Sequence, residues 1–208
     1  MKKHLIIWGS VVAMLIVLYS FSRDGQSASS TYPIDNIVQT DHVRGNRTSP
    51  VMLIEYSDFQ CPACAAYVPL LESVGQRYGQ RVAFVYRHFP LRRLHQNSAL
   101  AAQAAEAADR QGKFFEMHDV LFAKQSSWST QENVRETFAA YAQELNLDLD
   151  RFRADLESSA TETVVREQEK SGQTYGVSGT PSFFLNGKKI SFRTASDLEK
   201  RLDEALTR

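Results

Sequence analysis

The sequence predicts an α/β fold: one sheet assembled from strands at both ends of a single domain, with a helical insertion between them. Three observations carry this. First, the apolar run at residues 51–56 leads into a helical pattern and then into a second β-prone run at 81–87. Strand, crossover helix and strand imply a parallel pair with a right-handed connection. Second, residues 95–175 carry helical periodicity and no strand signal. Third, the strand pattern returns at 179–185 and 188–192, across Asn186-Gly187, the strongest short hairpin signal. The insertion belongs to the same domain, because the later strands are needed to complete the sheet. A chain of 208 residues, 43% hydrophobic and 23% charged, is long enough to bury the core this requires.

The N-terminus is a targeting segment. Lys2, Lys3 and His4 precede an uncharged apolar run over residues 5–21, just at the lower limit of length for a spanning helix. Trp8 and Tyr19 lie near its ends, where interfacial aromatics are expected. Residues 1–22 are read as an uncleaved membrane anchor, with a cleaved signal segment as the alternative; Ser27-Ala28-Ser29 is its best small-residue site. The positive-inside bias places the rest of the chain outside the cytoplasm. Both readings put the domain where disulfides persist. Residues 23–35 read as a polar tether and 36–208 as the domain.

Within the domain, residues 36–40 are expected to form a short first strand and 41–50 a polar loop. A helix runs from Pro62 to Tyr78 with Pro69 inside it. The insertion comprises an alanine-rich helix at 95–109, then helices at 114–124, 131–145, 149–156 and 161–175. In the third of these, Val134, Phe138, Tyr141 and Leu145 share one face. The lysines of the last strand mark it as an edge. A closing helix at 196–206 has Ser196 or Thr194 as its cap. Lys+Arg and Asp+Glu both number 24, so there is no excess of basic charge for nucleic acid to recognise.

Cys61 and Cys64 are the only cysteines, in a C-x-x-C spacing between a strand and a helix. Pro62 suits the first helical position, where a missing N–H costs nothing. The free N–H groups and the dipole of that helix end favour thiolate at Cys61, the expected reactive sulfur. Cys64, one turn inside, is the expected resolving sulfur. A zinc site would need further ligands, and the five histidines are scattered along the sequence. A structural disulfide closing so small a loop would be a weak staple. Redox chemistry with no metal and no organic cofactor is the expectation.

C-P-x-C after a strand, a long helical insert, then Gly179-Thr180-Pro181 opening a hairpin strand resembles the DsbA-like thiol–disulfide oxidoreductases of the thioredoxin superfamily. Asp58-Phe59-Gln60-Cys61-Pro62, Tyr86-Arg87-His88-Phe89-Pro90-Leu91 and Gln111-Gly112-Lys113-Phe114-Phe115-Glu116-Met117-His118 fit the same pattern, over about residues 41–206. The resemblance implies a thioredoxin-like fold and a cis Thr180–Pro181 bond facing the cysteines, with Thr180, Pro181, Pro62 and Ala63 meeting an extended substrate segment. It also implies that Glu55, six residues before Cys61, is a buried acid that relays a proton for Cys64. Ala63 departs from the most oxidising members, which carry histidine there. The Cys61 pKa is therefore expected between about 3.5 and the free value of about 8.5.

The function expected from all this is an exported enzyme that introduces disulfide bonds by dithiol–disulfide exchange. Its partners are protein thiols of unfolded secreted chains, and the family analogy adds a quinone-linked membrane oxidase that recycles it. Reduction or isomerisation of envelope disulfides is the alternative within the enzyme class, although no stretch reads as the dimerisation domain that isomerases add. A Cu(I)-binding or holdase module is the alternative outside it.

Overall fold

The computed structural model describes residues 31–207; the apolar run at 5–21 lies outside them. Among the described residues, no helix is long and apolar enough to cross a membrane. A five-stranded mixed sheet has the order β1-β3-β2-β4-β5. Its strands are β1 (His42–Gly45), β2 (Met52–Ser57), β3 (Ala83–His88), β4 (Ser182–Leu185) and β5 (Lys188–Ile190). The parallel pair predicted from sequence is β2 with β3, Glu55 lying opposite Tyr86. The remaining pairs are antiparallel. The β4–β5 turn is made by Asn186 (φ 46°) and Gly187 (φ 78°), the left-handed pair that a two-residue hairpin requires.

Helix α1 (Pro62–Tyr78) joins β2 to β3 with Pro69 inside it. The insertion follows as α2 (Ser98–Asp109), α3 (Phe114–Ala123), α4 (Gln125–Trp128), α5 (Arg135–Glu144), α6 (Leu149–Leu156) and α7 (Ser159–Thr174). The closing helix α8 (Ala195–Leu206) is capped by Thr194, whose hydroxyl accepts from the Asp197 N–H in a capping box.

Side chains on β2 alternate between two buried faces, as a central strand requires. Val51 and Leu53 meet Val74 and Tyr78 of α1 and Leu198 and Leu202 of α8. Met52, Ile54 and Tyr56 meet Val85, Phe89, Val177 and Phe184 on the other face. Glu55 shares the Leu53 face, beneath α1. The insertion has its own core around α2, whose buried alanines 101, 104, 105, 107 and 108 let α3, α5, α6 and α7 pack around it. That core continues through Phe59 to Cys61 and Cys64.

The N-terminal part of the domain differs from expectation. Residues 36–40 form turns, and the first strand falls at His42–Gly45 instead, inside the expected loop. The cause is Arg87, which is fully buried. Its guanidinium grips Asp41 through two hydrogen bonds of 2.8 Å. It also donates to the carbonyls of Pro33 (2.8 Å) and Asn36 (3.2 Å). These carbonyls are turned inward and are lost to a strand ladder. Tyr32 is buried and its carbonyl accepts from Ser171 Oγ at 2.6 Å, so the last residues assigned to the tether are packed into the domain.

Candidate active site

Cys61 is the N-cap of α1, with extended backbone (φ −75°, ψ 120°), and Pro62 opens the helix. Its N–H donates to the Asp58 carbonyl at 3.0 Å, closing a tight turn at the end of β2. Its thiol lies 3.5 Å from the Thr180 carbonyl oxygen. A hydrogen bond from Cys64 is the largest influence on the Cys61 sulfur, followed among favourable contacts by the Thr180 side chain and the backbone N–H groups of Cys64 and Ala63. Together they outweigh burial and hold the thiol down at about 5. The Thr180 hydroxyl is buried and has no other hydrogen-bond partner among the described residues.

Cys64 behaves oppositely. It is fully buried, and burial pushes its pKa far above the ordinary thiol range, with the Cys61 sulfur and the Glu55 charge adding to the effect. Both cysteines are free thiols. One helix end therefore favours thiolate at Cys61 and thiol at Cys64, the asymmetry that dithiol–disulfide exchange can use.

Glu55 sits half-buried beneath α1. Burial raises its carboxyl to about 7, with the Cys61 charge adding and a hydrogen bond to Ser57 opposing. It lines a cavity of about 340 Å³ together with Val68, Leu71, Tyr86 and His118. Glu55 thus combines an electrostatic link to Cys64 with a path to solvent behind the active-site helix.

The Thr180–Pro181 bond is cis, as expected. Pro181 is half-buried, and Pro62 and Ala63 are exposed at the helix end. The structure thus gathers all the residues singled out in the sequence around one sulfur or the acid beneath it.

Other residues at the site lie beyond those to which the sequence assigns a role. The Ser57 hydroxyl lies close enough to Glu55, Cys64 and Tyr86 to lower the pKa of each. Asp58 accepts from the backbone N–H of Gln60 (2.8 Å) and Leu91 (2.9 Å) and pairs with His95 Nδ1 at 2.7 Å. Gln125 on α4 donates to the carbonyls of Phe59 (2.7 Å) and Cys61 (3.1 Å). Gln60 accepts from the Asn97 N–H at 2.8 Å and donates to the Ser129 carbonyl at 2.7 Å. The insertion therefore clamps the turn that carries Cys61. Trp128 belongs to packing, fully buried against Phe138 with its indole N–H on the Leu121 carbonyl.

Residues 38–204 match the family model described as Thioredoxin. Curated relatives include Na(+)/H(+) antiporter NhaA 3 of Salinispora tropica, 42% identical over 149 residues, a stretch covering 72% of this chain and 22% of that protein. Another is Na(+)/H(+) antiporter NhaA 1 of Mycobacterium sp. strain KMS, 36% identical over 159 residues, covering 76% of this chain and 25% of that one. The chain thus spans a quarter or less of the length of these relatives. Among solved structures, a thioredoxin-like oxidoreductase from Silicibacter pomeroyi superposes with a TM-score of 0.71 at 27% identity, over 82% of this chain and 95% of that one. BdbD from Bacillus subtilis gives 0.73 at 20% identity, over 84% and 97%. Wolbachia pipientis alpha-DsbA1 gives 0.74 at 18%, over 83% and 94%. With the family match running across nearly the whole described domain, the chain belongs to the thioredoxin family and shares its fold with DsbA-type proteins.

Proposed function

We propose that this protein is a thiol–disulfide oxidoreductase that works outside the cytoplasm, tethered by residues 1–22, and introduces disulfide bonds into secreted or envelope proteins. The observation that carries the direction is the contrast between Cys61, held at about 5, and Cys64, pushed the other way. A stabilised Cys61 thiolate stabilises the reduced enzyme, which makes its disulfide an oxidant. Export is supported by the basic start followed by the uncharged run at 5–21.

In the proposed cycle, a substrate thiolate attacks the Cys61 sulfur of the oxidised pair and releases Cys64. An extended substrate segment lies along Thr180 and Pro181, opposite the exposed Pro62 and Ala63. A second substrate thiolate then displaces Cys61, leaving the substrate disulfide, the Cys61 thiolate and Cys64. Glu55 gives Cys64 its proton in this direction and removes it when the enzyme is reoxidised. Reoxidation passes two electrons to a membrane partner of the quinone-linked class.

The test is equilibrium titration of the Cys61–Cys64 pair in glutathione buffers, alongside oxidation of a reduced unfolded protein. The expected result is stoichiometric disulfide formation and a potential clearly more oxidising than thioredoxin's, about −270 mV. A potential at or below that figure would make the protein a reductase.

A further inference from the structure

A second cluster of chemically capable side chains lies on the insertion side of the sheet, away from the cysteines. His42 opens β1 opposite Tyr86, and His88 follows Tyr86 by two residues, so both imidazoles project from the same face. Glu106 comes down onto them from α2. All three are buried. His42 Nε2 lies 2.7 Å and His88 Nε2 2.9 Å from the same oxygen, Glu106 Oε1. The three donor atoms lie within 4.8 Å of one another. Three elements of the fold fix them, so the set is held before any ligand arrives.

We propose that His42, His88 and Glu106 bind one divalent late transition-metal ion of the Zn²⁺ class, with Asp109 as the positioning residue for His42. Two imidazoles and one carboxylate form the three-ligand set with a fourth position open that such ions accept. A tetrahedral ion about 2.0–2.1 Å from each donor holds the donors roughly 3.3 Å apart, so the two nitrogen–oxygen distances of 2.7 and 2.9 Å would each open by about half an ångström and the two imidazole nitrogens would settle to the same spacing. Ca²⁺ and Mg²⁺ want more oxygen ligands, and Cu(I) wants sulfur.

The surroundings support the same reading. Asp109 Oδ1 lies 3.4 Å from His42 Nδ1, the carboxylate–histidine arrangement that turns Nε2 toward a metal. Asp109 is 46% exposed, so this positioning carboxylate stands at the solvent edge of the buried cluster. Phe114 stacks on the His42 ring at 3.4 Å, and Tyr86 and Phe114 flank His88, giving the dry shell that excludes competing water. His88 Nδ1 has no partner among the described residues, so Nε2 alone orients that ring.

The experiment uses the full chain with Cys61 and Cys64 oxidised, so that no thiol is available as a ligand. The protein is stripped with chelator and titrated with Zn²⁺ alone, and in parallel with Co²⁺. One equivalent should bind. The imidazole ¹⁵N resonances of His42 and His88 should shift while those of His4, His95 and His118 stay. Glu106→Gln and His88→Asn should each weaken binding at least tenfold, and Asp109→Asn about tenfold. The proposal is overturned by an absence of binding, by shifts confined to other histidines, or by unchanged affinity in folded variants. The resonance measurement needs no substitution, so it decides the matter even where a variant fails to fold. Metal uptake by the oxidised protein is independent of the direction of thiol exchange.

Discussion

The sulfur of Cys61 lies 3.5 Å from the carbonyl oxygen of Thr180, across 119 residues of sequence. The loop before β4 thus meets the N-terminus of α1 at the reacting atom. The first prediction follows from this and from the burial of Cys64. Cys61→Ser should abolish exchange, whereas Cys64→Ser should accumulate mixed disulfides through Cys61. Faster alkylation of Cys64 than of Cys61 in the reduced protein would reverse the two roles.

The acidity of Cys61 also makes stability depend on pH. Its folded pKa is about 5, below the free value of about 8.5, so the unfolded chain holds the proton more tightly. The thiolate's contribution to the reduced fold is complete above the free value and is lost as pH falls through about 5. The oxidised protein has no such thiol. The Tm of the reduced form relative to the oxidised form should therefore climb between these pH values and be flat below them. Paired thermal melts across that range check it.

Glu55 should show the opposite slope. Its carboxyl is raised to about 7 from the ordinary value of about 4.3, so the folded state holds the proton more tightly. Its ionisation costs stability as pH rises through that interval. Glu55→Gln should match the parent near pH 4 and exceed it in stability above pH 7. The same variant should slow the step in which Cys64 is deprotonated by about 10²-fold, the lower end for general acid–base groups. It should also remove an inflection near pH 7 from the rate profile. Stopped-flow rates of mixed-disulfide resolution are the measurement, and an unaltered profile would remove Glu55 from the proton path.

How much of this was legible in the sequence depended on whether the cause was local. The N-terminus of α1 was legible because Pro62 marks it within the motif itself, and the β4–β5 hairpin because Asn186 and Gly187 suit a left-handed turn. The first strand falls later than the residue pattern predicts because Arg87, far along the chain, draws the carbonyls of Pro33 and Asn36 inward. Nothing near Gln125 signals that its amide reaches back 66 residues to the Phe59 carbonyl. His42 and Glu106 stand 64 residues apart, so no spacing rule joins them; only the β1–β3 register and the seat of α2 do.

The Arg87–Asp41 pair gives a prediction about stability alone. Both side chains are fully buried and joined at 2.8 Å. Removing one partner strands the other charge in the core, which typically costs about 3–5 kcal/mol. Asp41→Asn should lower the urea midpoint accordingly while leaving the Cys61 thiolate titration of the folded protein unchanged. A loss under about 1 kcal/mol would show that the neighbouring carbonyls suffice to hold the guanidinium.

Ala63 tests what sets the oxidising power. Its backbone N–H already faces the Cys61 sulfur, but its methyl group brings neither charge nor donor, and the residue is exposed at the helix end. An imidazole there would add a cation or an N–H donor near the thiolate without displacing core atoms. Ala63→His should therefore move the thiolate midpoint below about 5. Because the reduced enzyme is stabilised by the same amount, the pair should become more oxidising, by about 30 mV for each 1.4 kcal/mol. Thiolate absorbance against pH and the glutathione equilibrium constant, measured on both proteins, must move together. If neither moves, the dipeptide is not the control, and the Thr180 hydroxyl, buried with no other partner among the described residues, becomes the group to remove. Thr180→Val would then raise the midpoint toward the free-thiol value.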